Sequence, residues 1–416
     1  MSKDLKGKEL GKGIRQRKDG RYEARAIVNG ISINLYNFDL KQLKKDFEYA
    51  KEQASIDIDV KRCQITLNEW FEEWFSKYKE PMIKQTSVFP MKSKYYNTFG
   101  KQIGTMRVVD IRNINIQTVL NNMQKEGRAA SSMRDALGRV RDCLESAKNN
   151  NIISQNPCFG ITVPWENKKV LRRFLTVEEQ NIFLRTVENS WYKEMFYIMF
   201  LTGMRIGEIG GLKWCDVDFE KECIHINRAL SCSFEKGIKK ILLTTPKTYN
   251  SYRIIPFIGE AKEMFLEQKK KQDRIKKELG KRYRSKDEFS DLVFVTSMGS
   301  PVLRYHAEKE CRKIVDEINE KEALQSVKEQ RPPIVFEKVY PHAIRHTFCS
   351  RCFEKGMNPK IVQELMGHQH YSTTIEIYTH VSKTKFDDEI AKLGNAMLND
   401  MGVPNEVEII PKLESA

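Results

Sequence analysis

Along the chain the apolar residues change their spacing, and each change marks a different kind of element. Near the N-terminus they alternate: Tyr22, Ala24, Ala26 and Val28 are separated by Glu23, Arg25 and Ile27. A period of two is the mark of a strand with one covered face. Asp19-Gly20 and Asn29-Gly30 read as turns on either side, since both dipeptides reach positive φ at little cost, and Ile31, Ile33 and Leu35 resume the alternation. Leu40, Leu43, Phe47 and Ala50 then recur at helical spacing. A small sheet followed by a helix is therefore predicted over about residues 13–54.

From about residue 64 to 157 the period is that of helices. Leu67, Trp70, Phe71 and Trp74 define one, with Thr66 as its cap. A second covers Ile116 to Gln124. A third, Ser131 to Asn149, carries Met133, Leu137, Val140, Leu144 and Ala147 on one face and Arg134, Arg139, Arg141 and Lys148 around the rest. Asn149-Asn150-Asn151 and Asn156-Pro157 break it, and Trp165 to Arg173 reads as a polar, basic linker. Beyond the linker, Thr176-Val177-Glu178-Glu179 has the form of a capping box at a helix start. Strands are expected at Cys223–Ile226, Lys240–Leu243 and Arg253–Pro256, and helices from Val302 onward. The charge-rich segment Glu267 to Lys286 reads as a solvated helix face or an insertion. The predicted fold is multidomain and mainly α with small β-sheets (α+β). Its parts are residues 1–60, 64–160, a linker at 161–173, the largest domain at 174–398, and a tail at 399–416.

Charge adds a partner to this outline. The formal net charge is +15, and such an excess favours a polyanion, because each Lys or Arg placed on a phosphate releases condensed counterions. Arg15, Arg17, Lys18, Arg21 and Arg25 crowd the N-terminal sheet, where a basic β-ribbon could enter a DNA groove or could simply be a solvated hairpin. The nine cysteines are odd in number and scattered without a disulfide framework, which fits a reducing compartment. Met1 to Gly13 is lysine-rich without an apolar core, and no apolar run nears the ~20 residues that span a bilayer. A cytoplasmic protein without membrane attachment is expected.

Four short motifs stand in order: Leu201-Thr202-Gly203-Met204-Arg205-Ile206-Gly207-Glu208, then Thr245-Pro246-Lys247-Thr248, then Pro341-His342-Ala343-Ile344-Arg345-His346, and finally Leu365-Met366-Gly367-His368 followed by Ile375-Glu376-Ile377-Tyr378. Phosphodiester transfer without a metal needs a hydroxyl nucleophile, cations on the non-bridging oxygens, and an acid for the departing sugar oxygen. Arg205 and Arg345 can clamp phosphate oxygens through planar guanidiniums. Lys247, on a loop between two expected strands, can serve as the acid, with Lys213, Lys239 and Lys240 as nearby alternatives. His342 and Arg345, three apart on a helix, share a face. His368 can donate to the same phosphate, and Tyr378 can attack it. Singly, each is weak: a tyrosine at helical spacing from Ile375 is more often core.

Together these motifs resemble those of the tyrosine recombinase family, with a layout most similar to integrases of conjugative transposons and temperate phages in Gram-positive bacteria. The resemblance implies that Arg205, Lys247, His342, Arg345 and His368 activate the phosphate, that Tyr378 forms a covalent 3′-phosphotyrosine, and that Glu208 orients the site. It further implies an arm-type DNA-binding domain at residues 1–60, a core-binding helical domain at 64–160, and a catalytic domain at 174–398. The partners implied are double-stranded DNA at core and arm sites, a homo-tetramer on synapsed duplexes, and an excisionase and a host DNA-bending protein. The function expected is integration and excision of a mobile element without metal, ATP or other cofactor. The alternatives are a type IB topoisomerase-like enzyme and a non-catalytic DNA-binding regulator. In the tail, Phe386, Ile390, Leu393 and Met397 form an apolar stripe that could dock on a neighbouring protomer or cap its own domain. His342 and His346 have zinc-ligand spacing, but Ala343 stands where a zinc protease needs Glu, and Arg345 would repel a cation. Cys349 and Cys352 are expected to pack inside a helix.

Overall fold

The computed structural model describes residues 5, 9–28, 31–55, 64–163, 173–235, 238–246, 251–285, 287–384 and 397. The chain forms two compact units, one of residues 1–169 with 233–240 and the other of 170–232 with 241–416.

In the first unit, β1 (Ile14–Gln16), β2 (Tyr22–Val28) and β3 (Ile31–Asn37) form an antiparallel sheet in that order. Ala24 stands opposite Leu35 and Ala26 opposite Ile33, so one face is apolar. It packs on α1 (Leu40–Ser55), whose Leu43, Phe47 and Ala50 are buried at the expected spacing. The helical part begins with α2 (Leu67–Trp74), where Thr66 and Glu69 complete a reciprocal capping box. Trp70 donates its indole N–H to the Cys143 carbonyl at 2.9 Å, and Phe71 stacks on Tyr95 with centroids 3.5 Å apart. Tyr95 lies on α3 (Gln85–Tyr96), a helix that the sequence pattern conceals because Pro90 sits inside it and its apolar residues form no stripe. Next come the short α4 (Phe99–Ile103), then α5 (Asn113–Lys125) and α6 (Ala130–Asn149), the last two within a residue or a few of the predicted spans. One apolar cluster runs from the sheet through these helices, and Arg107 pairs with Asp46 of α1 at 2.8 Å.

The second unit opens with α7 (Val177–Val187), capped by Thr176 and Glu179 as expected, and α8 (Lys193–Thr202), which is buried on almost every side. After α9 (Ile206–Gly211), β4 (Val217–Asp218) and β5 (Cys223–Ile226) pair antiparallel. β6 (Ala229–Glu235) and β7 (Ile238–Thr244) form a separate two-stranded sheet. β8 (Arg253–Pro256) joins β5, so the strands flanking Lys247 belong to different sheets and are not the two arms of one hairpin. Lys247 itself lies outside the described residues, as do the linker from Trp165 to 172 and the tail residues Phe386, Ile390 and Leu393.

α10 (Ala261–Leu279) covers most of the charge-rich segment, and Glu267, Lys269, Lys270, Asp273 and Lys277 are exposed on it as a solvated face. Gln268 and Gln272 are buried and donate to the carbonyls of Val293 and Leu292 at 2.7 and 2.8 Å. These two amides on its other face thus hydrogen-bond backbone carbonyls of residues 292–293. α11 (Arg304–Lys328) precedes the helices that frame the site: α12 (Pro341–Glu354), α13 (Pro359–Met366) and α14 (Tyr371–Thr384). α12 packs against α8 and α14 and is buried along most of its length, including Cys349 and Cys352. No helix among the described residues is long and apolar enough to cross a membrane.

Candidate active site

The site is built where two helices end. α8 stops at Gly203 and α13 at Gly367, both with φ near +60°, the left-handed conformation that a Cβ disfavours. At Gly203 a side chain is also excluded by space, since a Cβ would stand 2.4 Å from Phe348. Each stop turns backbone carbonyls outward, and guanidiniums take them up. Arg345 donates to the Gly203 carbonyl at 2.6 Å and to that of Met366. Arg205 donates to the Gly367 carbonyl at 2.8 Å, and Arg253 to that of Leu365 at 2.6 Å. Three successive carbonyls of the Leu365-Met366-Gly367 turn are thus each held by a different arginine.

Glu208 ties two of these arginines together. Its Oε1 accepts from Arg205 Nη1 at 2.8 Å and Arg253 Nη1 at 3.1 Å, and its Oε2 from the Arg205 backbone N–H at 2.9 Å and Arg253 Nη2 at 2.8 Å. Burial raises the Glu208 carboxyl, but Arg253 first, then Arg345 and Arg205, outweigh it and bring it down to about 2. Burial, then Arg205, pull Arg345 down to about 9, which leaves it cationic at neutral pH. Three guanidiniums against one carboxylate leave two positive charges uncompensated in a largely buried cluster, a setting suited to a phosphate. Arg205 is the exposed member at 34%, against 6% for the Arg253 side chain. Arg345 is 1% exposed, with two of its N–H donors on carbonyls.

His368 follows the same turn. Its Nδ1 lies 2.8 Å from the Thr374 hydroxyl, and both residues are buried. With the hydroxyl donating, the ring proton sits on Nε2. His342 is exposed at the start of α12, its ring 4.8 Å from that of His346. Tyr378 lies on α14 and is 40% exposed, its ring edge-on to Phe353 at 5.2 Å. The core position on α14 is Ile377, so Tyr378 is not the packing residue its spacing from Ile375 could have made it. Lys239 and Lys240 are exposed on β7, and Lys213 precedes the turn into β4.

The basic residues of the first unit have acidic neighbours that sequence spacing hides. Arg15 and Arg25 both pair with Glu23 at 2.5 Å, on the sheet face away from α1. Burial raises the Glu23 carboxyl, but hydrogen bonds from Arg15, Tyr36 and Arg25 hold it at about 2. Arg17 lies over the Tyr36 ring at 5.7 Å, Arg21 pairs with Asp19 at 2.7 Å, and Lys18 is exposed. On α6, Arg134 and Arg141 are exposed, whereas Arg139 turns to Asp135 at 2.6 Å. Among the described residues, one group could hold a metal: Asp218, Cys223 and His225, with ligand atoms within 4.8 Å of one another. Asp218 already accepts two backbone N–H bonds there, from Glu220 and Lys221.

Arg253 and Thr374 are the site residues that sequence reasoning missed. Arg253 opens a strand, Thr374 sits in a helix, and nothing in their spacing links either to a motif.

The fold matches that of the Tn1549 transposon integrase in complex with transposon right end DNA, with a TM-score of 0.63 and 21% identity, covering 79% of this chain and 100% of that one. In sequence, the chain is 27% identical to a XerC-like tyrosine recombinase of Caldanaerobacter subterraneus, over 81% of this chain and 86% of the relative. It is 24% identical to the transposase from transposon Tn916 of Enterococcus faecalis, over 94% and 95%. The model of the phage integrase family matches residues 173–385, more than half of the sequence, and the chain belongs to that family. It is a tyrosine recombinase, an enzyme of DNA strand transfer.

Proposed function

We propose that this enzyme integrates and excises a mobile genetic element, with Tyr378 as the nucleophile that forms a 3′-phosphotyrosine bond. The observation that carries the reading is the doubly positive cluster on the Leu365–Gly367 turn, from which the chain runs directly through His368 into the helix of Tyr378. In this reading the scissile phosphate supplies the missing negative charge. Arg205, as the exposed guanidinium, meets a non-bridging oxygen, and Arg345 stabilises the same charge from within. His368 donates through Nε2, and His342 reaches the phosphate from α12. The Tyr378 oxygen forms the new bond to phosphorus as its own proton passes to solvent. The bond to the 5′ sugar oxygen breaks, and Lys247 gives that oxygen its proton. The 5′-hydroxyl of a second end reverses the sequence, so bond energy is kept and no ATP is used.

Relatives favour recombination over simple relaxation of DNA: the match spanning nearly the whole chain is to a transposase of a transposon. With one nucleophile per protomer, cutting both strands of two duplexes calls for a tetramer. The basic outer face of the N-terminal sheet is the proposed arm-site reader, and Arg134, Arg139 and Arg141 of α6 the proposed core-site contacts.

The test is a suicide duplex, nicked beside a candidate crossover at the element's ends so that cleavage cannot reverse. Wild-type protein in EDTA should give a covalent band on a denaturing gel, and Tyr378→Phe should bind the duplex equally but give none. A band that persists in Tyr378→Phe places the nucleophile elsewhere; one abolished by EDTA brings a metal into the chemistry.

A further inference from the structure

Arg253 belongs to none of the four motifs, yet it makes four hydrogen bonds in the cluster, as many as Glu208. It lies on β8, with Ile255 two residues on buried in the core and Ile254 between them exposed, so the strand's alternation points Arg253 inward. Opposite Ile226 in the sheet register, its start is fixed by strand pairing. From there Nε reaches the Leu365 carbonyl at 2.6 Å, while Nη1 and Nη2 take the two oxygens of Glu208 at 3.1 and 2.8 Å. Nη1 also donates to the Ser251 carbonyl at 3.2 Å. Its side chain is 6% exposed, which leaves little room for contact with a duplex.

We propose that Arg253 is a positioning residue for strand cleavage: it fixes Arg205 through Glu208 and fixes the His368 turn through the Leu365 carbonyl. The inference rests on the reading of this cluster as the phosphate site. Glu208 holds Arg205 by its side chain and its backbone N–H. Without Arg253, the carboxylate would keep only one of its two bridging guanidiniums, and Arg205 could swing with it. The Leu365 carbonyl would lose its donor at the C-terminal end of α13, two residues before Gly367, whose carbonyl also holds Arg205. Two separate tethers on the same phosphate-facing guanidinium thus meet at one buried side chain. A lysine can satisfy the charge of Glu208 but cannot reach both oxygens and the carbonyl at once, because it has no planar fork.

The test uses the full chain and the nicked suicide duplex, with adduct formation followed in a single turnover at saturating protein. Arg253→Gln should slow adduct formation on the order of 100-fold, the cost of a misplaced reacting group, with duplex binding within about twofold of wild type. Arg253→Lys should fall between the two. The groups facing Glu208 are Arg205, Arg253 and Arg345. Loss of Arg253 should therefore shift the acid limb of the rate profile to higher pH in Arg253→Gln and much less in Arg253→Lys, whereas a merely structural loss would lower the rate equally at every pH. Adduct formation within about threefold of wild type in both variants would overturn the proposal. So would a slowing that only follows the loss of folded protein or of duplex binding, with the acid limb unmoved. A wild-type protein that forms no adduct would sink the phosphate-site reading and this role with it.

Discussion

Glu208 sets one buried carboxylate against the guanidiniums of Arg205, Arg253 and Arg345. Its ordinary value is 4.5 and its folded value about 2, because burial is outweighed by Arg253, Arg345 and Arg205. A depressed acid stabilises the fold fully above its unfolded pKa, and that stability is lost as pH falls through the folded one. Here the window runs from about 4.5 down to about 2, and the shift corresponds to about 3 kcal/mol. Glu208→Gln should therefore lower the unfolding free energy at pH 7 by roughly that amount and flatten its fall between those limits, as read by urea titration at a series of pH values. An unchanged acid transition would show that the carboxylate is not held by the arginines. Other polar residues were legible in kind but not in setting. Arg345 reads as a phosphate clamp, yet two of its donors face carbonyls inside the molecule; Arg15 and Arg25 read as open cations, yet both lean on Glu23.

At the scale of elements, the site depends on where helices stop. Gly203 ends α8 with φ +60° and has Phe348 of α12 against the place a Cβ would occupy. Gly203→Ala should cost about 3 kcal/mol from the left-handed backbone and the overpacking together, and it should slow adduct formation because Arg345 rests on the Gly203 carbonyl. A drop in thermal midpoint without loss of cleavage rate in the remaining folded protein would separate the stop from the chemistry. The helices with clear apolar stripes, α2, α6 and α7, were legible because one face of each is covered and caps such as Thr66 and Thr176 mark their starts. α3 was not legible, because Pro90 lies inside it and Tyr95 is the one residue it buries. On α10 the solvated charged face was legible, but the burial of Gln268 and Gln272 was not, because their partner carbonyls lie 25 and 20 residues away.

For the whole molecule, the excess of 15 positive charges is the broad signal for DNA, but local pairing decides which charges can reach it. On the N-terminal sheet, Lys18 is exposed, and Arg17 and Arg21 share Asp19 at the surface, at 4.0 and 2.7 Å. Replacing these three by alanine should reduce the salt dependence of arm-site binding by up to about three phosphate contacts, since each contact contributes a slope near 0.9, while cleavage of core-site duplexes proceeds as in wild type. Filter binding across a range of salt concentrations, with cleavage measured alongside, decides it. An unchanged slope would make the N-terminal sheet a solvated hairpin and not an arm-site reader.

Spacing along the chain determined what local physics alone can determine. Alternation announced β2 and β3, a stripe announced α6, and each of the four motifs is a short run of neighbouring residues, whose order resembles that of a known family. These properties belong to neighbours within one or two turns of chain, where side-chain direction follows directly from the backbone period. What only tertiary structure decided is how distant charges are balanced. Arg253 and Glu208 are 45 residues apart, and the Leu365 carbonyl lies 112 residues beyond Arg253. A buried guanidinium takes its meaning from the oxygens around it, and which oxygens those are depends on where the two helices end.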